Sequence, residues 1–274
     1  NGNRGIFEMA TGTGKTYTAL FAVKQFLSIS KENFLLIICC PYQHLVDQWE
    51  DNVRDVFPGE EIVKCYDNRQ DWDRHLNKLL QGMIYGGGKN GIVVTTTSTG
   101  SSDYFRKIVN TNKVKKIVIA DEVHNIGADH NKKFLEIKSD ARIGLSATPI
   151  RPYDEEGNKA IQEYFGSSIY ELSIKEAIAM GFLVPYRFFV SICELNDSEY
   201  DEYKKLSIII AQLYSRGNPD EDRLQYLLRQ RSQIISTCSS KLVALRQILS
   251  NFNNYYNTLI YTAENKNFFN ETIN

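Results

Sequence analysis

Eight residues near the N-terminus, Met9 to Thr16 (MATGTGKT), have the types and spacing that phosphate chemistry needs. They follow a short apolar run, Gly5 to Met9, and precede an amphipathic stretch, Tyr17 to Ile29, so the order reads as strand, glycine loop, helix. Gly12 and Gly14 free the backbone so that N–H groups converge on phosphate oxygens at a helix N-terminus. Lys15 then reaches the β- and γ-phosphates and Thr16 offers its hydroxyl to magnesium, with Thr11 and Thr13 completing the loop. The first glycine of GxxxxGK[ST] is replaced by Met9, but the phosphate-facing parts of the pattern all lie after it. Tyr17 stands where a dinucleotide-binding fingerprint needs its third glycine, which excludes that use of the loop.

A second reactive group lies at Asp121 and Glu122, directly after the apolar run Val114 to Ala120. Nucleotide hydrolysis needs a phosphate cradle, a metal anchor and a group that aligns or deprotonates water. Lys15 and Thr16 supply the first and part of the second; Asp121 suits the magnesium shell and Glu122 the base. A third cluster, Ser146, Ala147 and Thr148, follows the run Ala141 to Leu145.

Taken in order, MATGTGKT, DEVH (Asp121 to His124) and SAT (Ser146 to Thr148) resemble motifs I, II and III of superfamily two helicases and translocases. GLSATPIRPYDEEGNKAIQEYFG and AIAMGFLVPY are similar to the branch holding DEAH-type repair helicases and restriction-enzyme motor subunits. The resemblance implies Gly12, Gly14, Lys15 and Thr16 on ATP and Mg2+, Asp121 on the metal and Glu122 as catalytic base. It implies that His124 links the ATP site to motif III, and that Ser146 and Thr148 couple hydrolysis to lobe movement. CPYQHLVDQW resembles motif Ia and TTTS (Thr95 to Ser98) motif Ib, implying backbone contacts to nucleic acid from Pro41, Gln48, Thr95, Thr96 and Thr97. DNA is favoured over RNA only through the branch resembled. Nuclease or other defence and repair subunits are the partners it implies.

The elements that must position these groups alternate from residue 5 to about 175, which predicts a doubly wound, mostly parallel sheet of the RecA-like P-loop type. Ala19, Leu20, Val23, Phe26 and Leu27 share a helical face; Phe34 to Cys40 is continuously apolar, as a central parallel strand should be. Helices are expected at His44 to Val53, Asp71 to Gln81 and Ser102 to Asn110, with strands at Glu61 to Cys65 and Ile92 to Thr97. Gly86 to Gly91 reads as a flexible turn. Since ligands in open α/β sheets bind at the C-terminal ends of strands, the acidic pair belongs beside the glycine loop. Beyond the sheet, Ser173 to Met180 reads as helix and Pro185 to Ile192 as a strand with Tyr186, Phe188 and Val190 alternating. A mostly helical stretch then runs from Asp197 to about Phe252, broken near Gly217 to Asp220. A last strand is expected at Asn257 to Thr262, where LIYT resembles motif IV at the start of a second RecA-like lobe. The expected division is therefore a lobe over 1–180, a strand and helical connector over 181–255, and the truncated second lobe over 256–274.

Composition sets the bounds. The 274 residues are 42% apolar, enough for a sizeable core. The net charge of -1 gives no global basic field, so any nucleic-acid site must be a local groove. Five scattered cysteines, with no CxxC pair, suit a reducing compartment rather than disulfides or structural zinc. The longest apolar run, Phe34 to Cys40, is too short to span a bilayer, so no membrane role and an intracellular (cytoplasmic) location are expected.

Overall fold

The structure, a computed structural model, describes residues 2–30, 32–85, 90–215, 220–252, 254 and 256–261. The chain divides into two compact units, Asn1–Pro185 and Tyr186–Asn274.

The first unit is built on a seven-stranded sheet of β1 (Arg4–Met9), β2 (Phe34–Cys40), β3 (Glu61–Cys65), β4 (Gly91–Thr96), β5 (Lys115–Ala120), β6 (Ala141–Ser146) and β7 (Ser168–Leu172). Its order is β3-β4-β2-β5-β6-β1-β7, and every ladder is parallel. Parallel neighbours require crossovers. Helices α1 (Lys15–Ser30), α2 (Gln43–Val56), α3 (Arg69–Tyr85), the short α4 (Thr97–Gly100), α5 (Asp103–Thr111) and α6 (Glu155–Phe165) supply them, except between β5 and β6, where 3-10 turns do; α7 (Ile174–Ala179) follows the last strand.

The continuous apolar strands are explained by burial on both faces. In β2, Leu35, Ile37 and Cys39 join the cluster containing Trp72, Phe105 and Phe165. Phe34, Leu36, Ile38 and Cys40 join the opposite cluster with Leu20, Trp49 and Val53. Successive strand residues point to opposite faces, so a strand covered on both sides must be apolar at every position. Burial pushes the Cys39 thiol up to about 12, and Cys40 and Cys65 up as well, so these cysteines serve the fold as neutral packing groups.

Strand β7 has no counterpart among the expected elements. Four of its five residues, Ser168 to Glu171, are exposed at the sheet edge, so it carries no buried apolar pattern; its ladder with β1 makes it a strand. The expected turn at Gly86 to Gly91 falls mostly on residues 86–89, outside those described.

In the second unit, α8 (Asp197–Ser215), α9 (Glu221–Ser236) and α10 (Ser239–Ser250) form the expected helical stretch. Ile210, Leu213, Leu224 and Leu227 pack α8 against α9. Two expected strands are corrected. Residues 185–192 form no strand despite their alternation, and Asn257 to Tyr261, the expected opening of a second lobe, form none either. A strand exists only as part of a ladder, and among the described residues neither segment has a partner. Thr262 to Asn274 lies outside the described residues. No helix among the described residues is long and apolar enough to cross a membrane.

Candidate active site

Three strand ends assemble the site. In the register of the sheet, β6 lies between β5 and β1, with Gly144 opposite Ala120 and Ser146 opposite Glu8. The residues that follow these strands, the glycine loop after β1, Asp121 and Glu122 after β5, and Ala147 and Thr148 after β6, therefore leave the sheet at one edge.

The loop has the backbone of an anion cradle. Gly12 and Gly14 take φ of +84° and +85°, where a side chain is disfavoured, and a Cβ on Gly14 would meet nothing within 4 Å. Thr18 N–H closes the first turn of α1 on Gly14 O at 3.0 Å. The N–H groups of Lys15, Thr16 and Tyr17 precede that first bond and are left at the helix mouth. The first turn of α1 has no acidic residue to compete for them. Lys15 Nζ donates to the Met9 carbonyl at 3.0 Å and Thr13 Oγ1 to Ala10 O at 2.6 Å, so the loop folds around its lysine. Thr11 is exposed and Thr16 half-buried at the same turn. Met9 is not among the residues with positive φ; its side chain is buried with Leu172 and Ala177. A glycine is not needed there.

The acidic pair is held by backbone. Asp121 N–H donates to Cys39 O at 2.7 Å, and Asp121 Oδ1 accepts the N–H of Glu122 at 2.9 Å. Glu122 sits at φ 45°, ψ 53°, a left-handed conformation that bends the chain out of β5 into a 3-10 turn, Val123–Gly127. Such strain in a non-glycine residue persists only where surrounding contacts enforce it. The turn brings His124 Nδ1 to 3.0 Å from Ser146 Oγ and 3.5 Å from Glu122 Oε2. Ser146 is fully buried and its Oγ also accepts the Thr148 N–H at 3.1 Å. Residues 122, 124, 146 and 148 thus form one connected set, with Thr148 joining through its backbone.

The geometry fits a magnesium nucleotide: an N–H-lined helix mouth, a lysine and a hydroxyl at its lip, and two carboxylates on the same sheet edge. Residues 1–151 match the family described as type III restriction enzyme, res subunit. The chain belongs to that family. A curated relative of this res-subunit member is the type I restriction enzyme EcoAI endonuclease subunit of Escherichia coli, 30% identical across 68% of this chain and 21% of that protein. Another is the DNA 3'-5' translocase XPB2 of Sulfurisphaera tokodaii, 26% identical across 92% of this chain and 55% of the relative. The chain therefore spans at most about half the length of these relatives. Among solved structures, the Pyrococcus furiosus Hef helicase domain superposes with a TM-score of 0.52 at 18% identity, covering 93% of this chain and 52% of that one. The type ISP restriction-modification enzyme LlaBIII bound to DNA gives 0.53 at 16%, covering 68% and 15%. At these identities the likeness establishes the RecA-like fold.

The residues expected to meet nucleic acid are placed unevenly. Gln48 is exposed on α2 and Pro41 half-buried before it. The three threonines are buried and engaged: Thr95 Oγ1 donates to Cys65 O at 2.8 Å, Thr97 Oγ1 to Cys40 O at 3.2 Å, and Thr96 Oγ1 caps α4 by accepting Thr99 N–H. Their hydroxyls tie strand ends together, while Ser98 beside them is exposed.

Two participants escape a reading of the sequence. Arg151 Nη1 donates to the His124 carbonyl and its Nε to Asp154 Oδ2, both at 2.7 Å, joining the segment after SAT to the turn after Glu122. Asp154 in turn caps α6 by accepting Gly157 N–H at 2.8 Å. The close spacing of Arg151 and Asp154 was the available signal. The other is Trp49, whose Nε1 donates to Asp121 Oδ2 at 3.0 Å.

Proposed function

We propose that this chain is the nucleotide-binding motor lobe of an ATP-dependent DNA translocase or helicase. The observation that carries the reading is the convergence, at one sheet edge, of the glycine loop, Asp121 with Glu122, and the His124–Ser146 hydrogen bond. Gly12, Gly14 and the first N–H groups of α1 bind the phosphates, with Thr11 and Thr13 shaping the loop. Lys15 leaves the Met9 carbonyl to face the terminal phosphates, an exchange of one charge-assisted hydrogen bond for a stronger one. Thr16 and Asp121 hold magnesium, which when bound would offset the charge of the phosphate oxygens. Glu122 takes the proton of the attacking water. His124 and Ser146 pass the state of Glu122 to the segment through Thr148, where a partner lobe in the complete protein would sense it.

Contact with nucleic acid falls to the exposed starts of α2 and α4. There Gln48 and Ser98 present amide and hydroxyl donors that suit phosphates, with Pro41 fixing the chain ahead of α2 and Thr95, Thr96 and Thr97 setting the turn beneath them. DNA is preferred because the name of the Sulfurisphaera tokodaii relative, a DNA 3'-5' translocase, specifies it. The restriction subunit at 30% identity supports a second reading within the same chemistry, a motor that moves on duplex without unwinding it alongside nuclease or modification subunits. An intracellular location follows from DNA as the track.

The test is DNA-stimulated ATP hydrolysis by the full-length protein. Glu122→Gln should lower turnover about 10²- to 10⁴-fold with nucleotide binding retained. Turnover unchanged by that substitution, or nucleotide binding with no DNA-stimulated hydrolysis in the parent, would sink the reading. Strand displacement measured beside triplex displacement separates helicase from duplex translocase.

A further inference from the structure

Helix α2 reaches the metal side of the site through a single buried indole. Its inward face, Val46, Trp49, Val53 and Val56, packs on β2 and β4. Trp49 is 2% exposed and its bulk belongs to the core cluster on that face. Its N–H, however, is not spent on a backbone carbonyl. It donates to Asp121 Oδ2 at 3.0 Å, while Oδ1 takes the Glu122 N–H at 2.9 Å.

These two bonds decide how the carboxylate faces. A free aspartate rotates about its terminal torsion with little preference. Here each oxygen accepts one fixed donor from a different element, so the plane is set and one lone pair on each oxygen is left open. Trp72, the chain's other tryptophan, shows that indole burial alone does not require such a partner: its Nε1 is buried with no hydrogen-bond partner. A hydrophobic contact would have been served by phenylalanine, whereas holding Oδ2 takes a donor, here the indole N–H.

We infer that Trp49 is a positioning residue for magnesium: it orients Asp121 for the metal and ties that orientation to α2. The inference rests on the reading of Asp121 as the magnesium ligand. Groups that orient a metal ligand from outside its coordination sphere typically change metal affinity or activity 10- to 100-fold when removed. Because Gln48 lies on the exposed side of the same helix, a shift of α2 under nucleic acid would reach the metal carboxylate through the next residue in the chain.

The test is a magnesium titration of fluorescent ADP binding to the 274-residue chain, with binding in EDTA as the baseline. Trp49→Phe keeps the ring in the core and removes the N–H. The Mg2+ concentration for half-maximal enhancement should rise about tenfold, with affinity in EDTA unchanged. A half-point equal to the parent's overturns the role of Trp49. Asp121→Asn separates this from failure of the underlying reading: if the magnesium effect survives that substitution, Asp121 is not the ligand and the inference falls with it. If the effect disappears in Asp121→Asn while Trp49→Phe matches the parent, only Trp49's role is refuted. A second measurement leaves Trp49 in place. Trp72→Phe removes a buried N–H that has no partner and leaves Trp49 as the one indole of the chain. Its emission should change on adding Mg2+ with ADP and not on adding ADP in EDTA. Equal responses in the two conditions overturn the inference.

Discussion

Replacing Ser146 with alanine separates the two roles that this buried hydroxyl combines. Ser146 Oγ bonds His124 Nδ1 at 3.0 Å and accepts the Thr148 N–H at 3.1 Å. The side chain itself is fully buried, but both partners retain access to water: the His124 side chain is 28% exposed and Thr148 is exposed. Water can therefore replace the lost bonds, and the stability cost is that of an ordinary hydrogen bond, about 1 kcal/mol, not of an orphaned buried group. In a unit of this size that lowers Tm by roughly 2–4 °C. The functional cost should be larger, because Ser146 joins His124, in the turn that follows Glu122, directly to the Thr148 backbone, whereas Arg151 reaches that turn from beyond Thr148. Coupling free energies between sites run at about 1–3 kcal/mol, so the ratio of DNA-stimulated to basal ATPase should fall about 5- to 150-fold. Thermal melts and ATPase rates with and without DNA measure both quantities. Since His124 is the other half of the link, His124→Ala combined with Ser146→Ala should add little to either single change. Unchanged stimulation in Ser146→Ala, or additivity of the two changes, would refute a coupling role for the Ser146–His124 bond.

Further outcomes follow from the same geometry. Gly14→Ala should leave a folded protein destabilised by about 1–2 kcal/mol, the cost of a left-handed backbone at a position with no steric clash, while a methyl at the phosphate face weakens nucleotide binding; unchanged binding by calorimetry would contradict the cradle. Thr97→Val should cost about 1–3 kcal/mol, since no water reaches the buried Cys40 carbonyl to replace the lost bond, without altering the salt dependence of DNA binding. Gln48→Ala should weaken DNA binding at constant Tm; the reverse pattern would return the phosphate contact to the threonine. Asp154 is held below its usual value first by the Gly157 N–H and then by Arg151, so its contribution is present above the unfolded value and fades as pH falls through the lower folded one. The Tm gap between parent and Asp154→Asn should accordingly be steady near neutrality and close below about pH 4; a gap undiminished at pH 2 would rule the linkage out.

Much of the core was legible because the sheet is buried on both sides. Phe34 to Cys40 begins and ends where the apolar pattern places it, since a strand covered by helices on both faces has no polar position to blur its edges; Glu61 to Cys65 also keeps its expected bounds, although as an outer strand it carries the exposed Glu61 and the half-buried Lys64. The same rule failed at the margins. β7 is exposed and exists through its ladder with β1, whereas the alternating residues 185–192 and the apolar stretch near Leu259 have no ladder among the described residues and form no strand there. Alternation says which faces a strand would have; only a neighbour makes it one.

By itself the sequence determined the chemistry of the site: the glycines that need positive φ, the lysine and hydroxyl after them, and two carboxylates at the end of an apolar strand. Each is a local property, fixed within a few residues by backbone freedom or side-chain type. Only the tertiary structure decided which groups touch. It assigned the hydroxyls of Thr95 and Thr97 to the fold, joined Arg151 to His124, and set Trp49 against Asp121, because contacts across 27 or 72 residues depend on strand order and helix packing rather than on spacing along the chain.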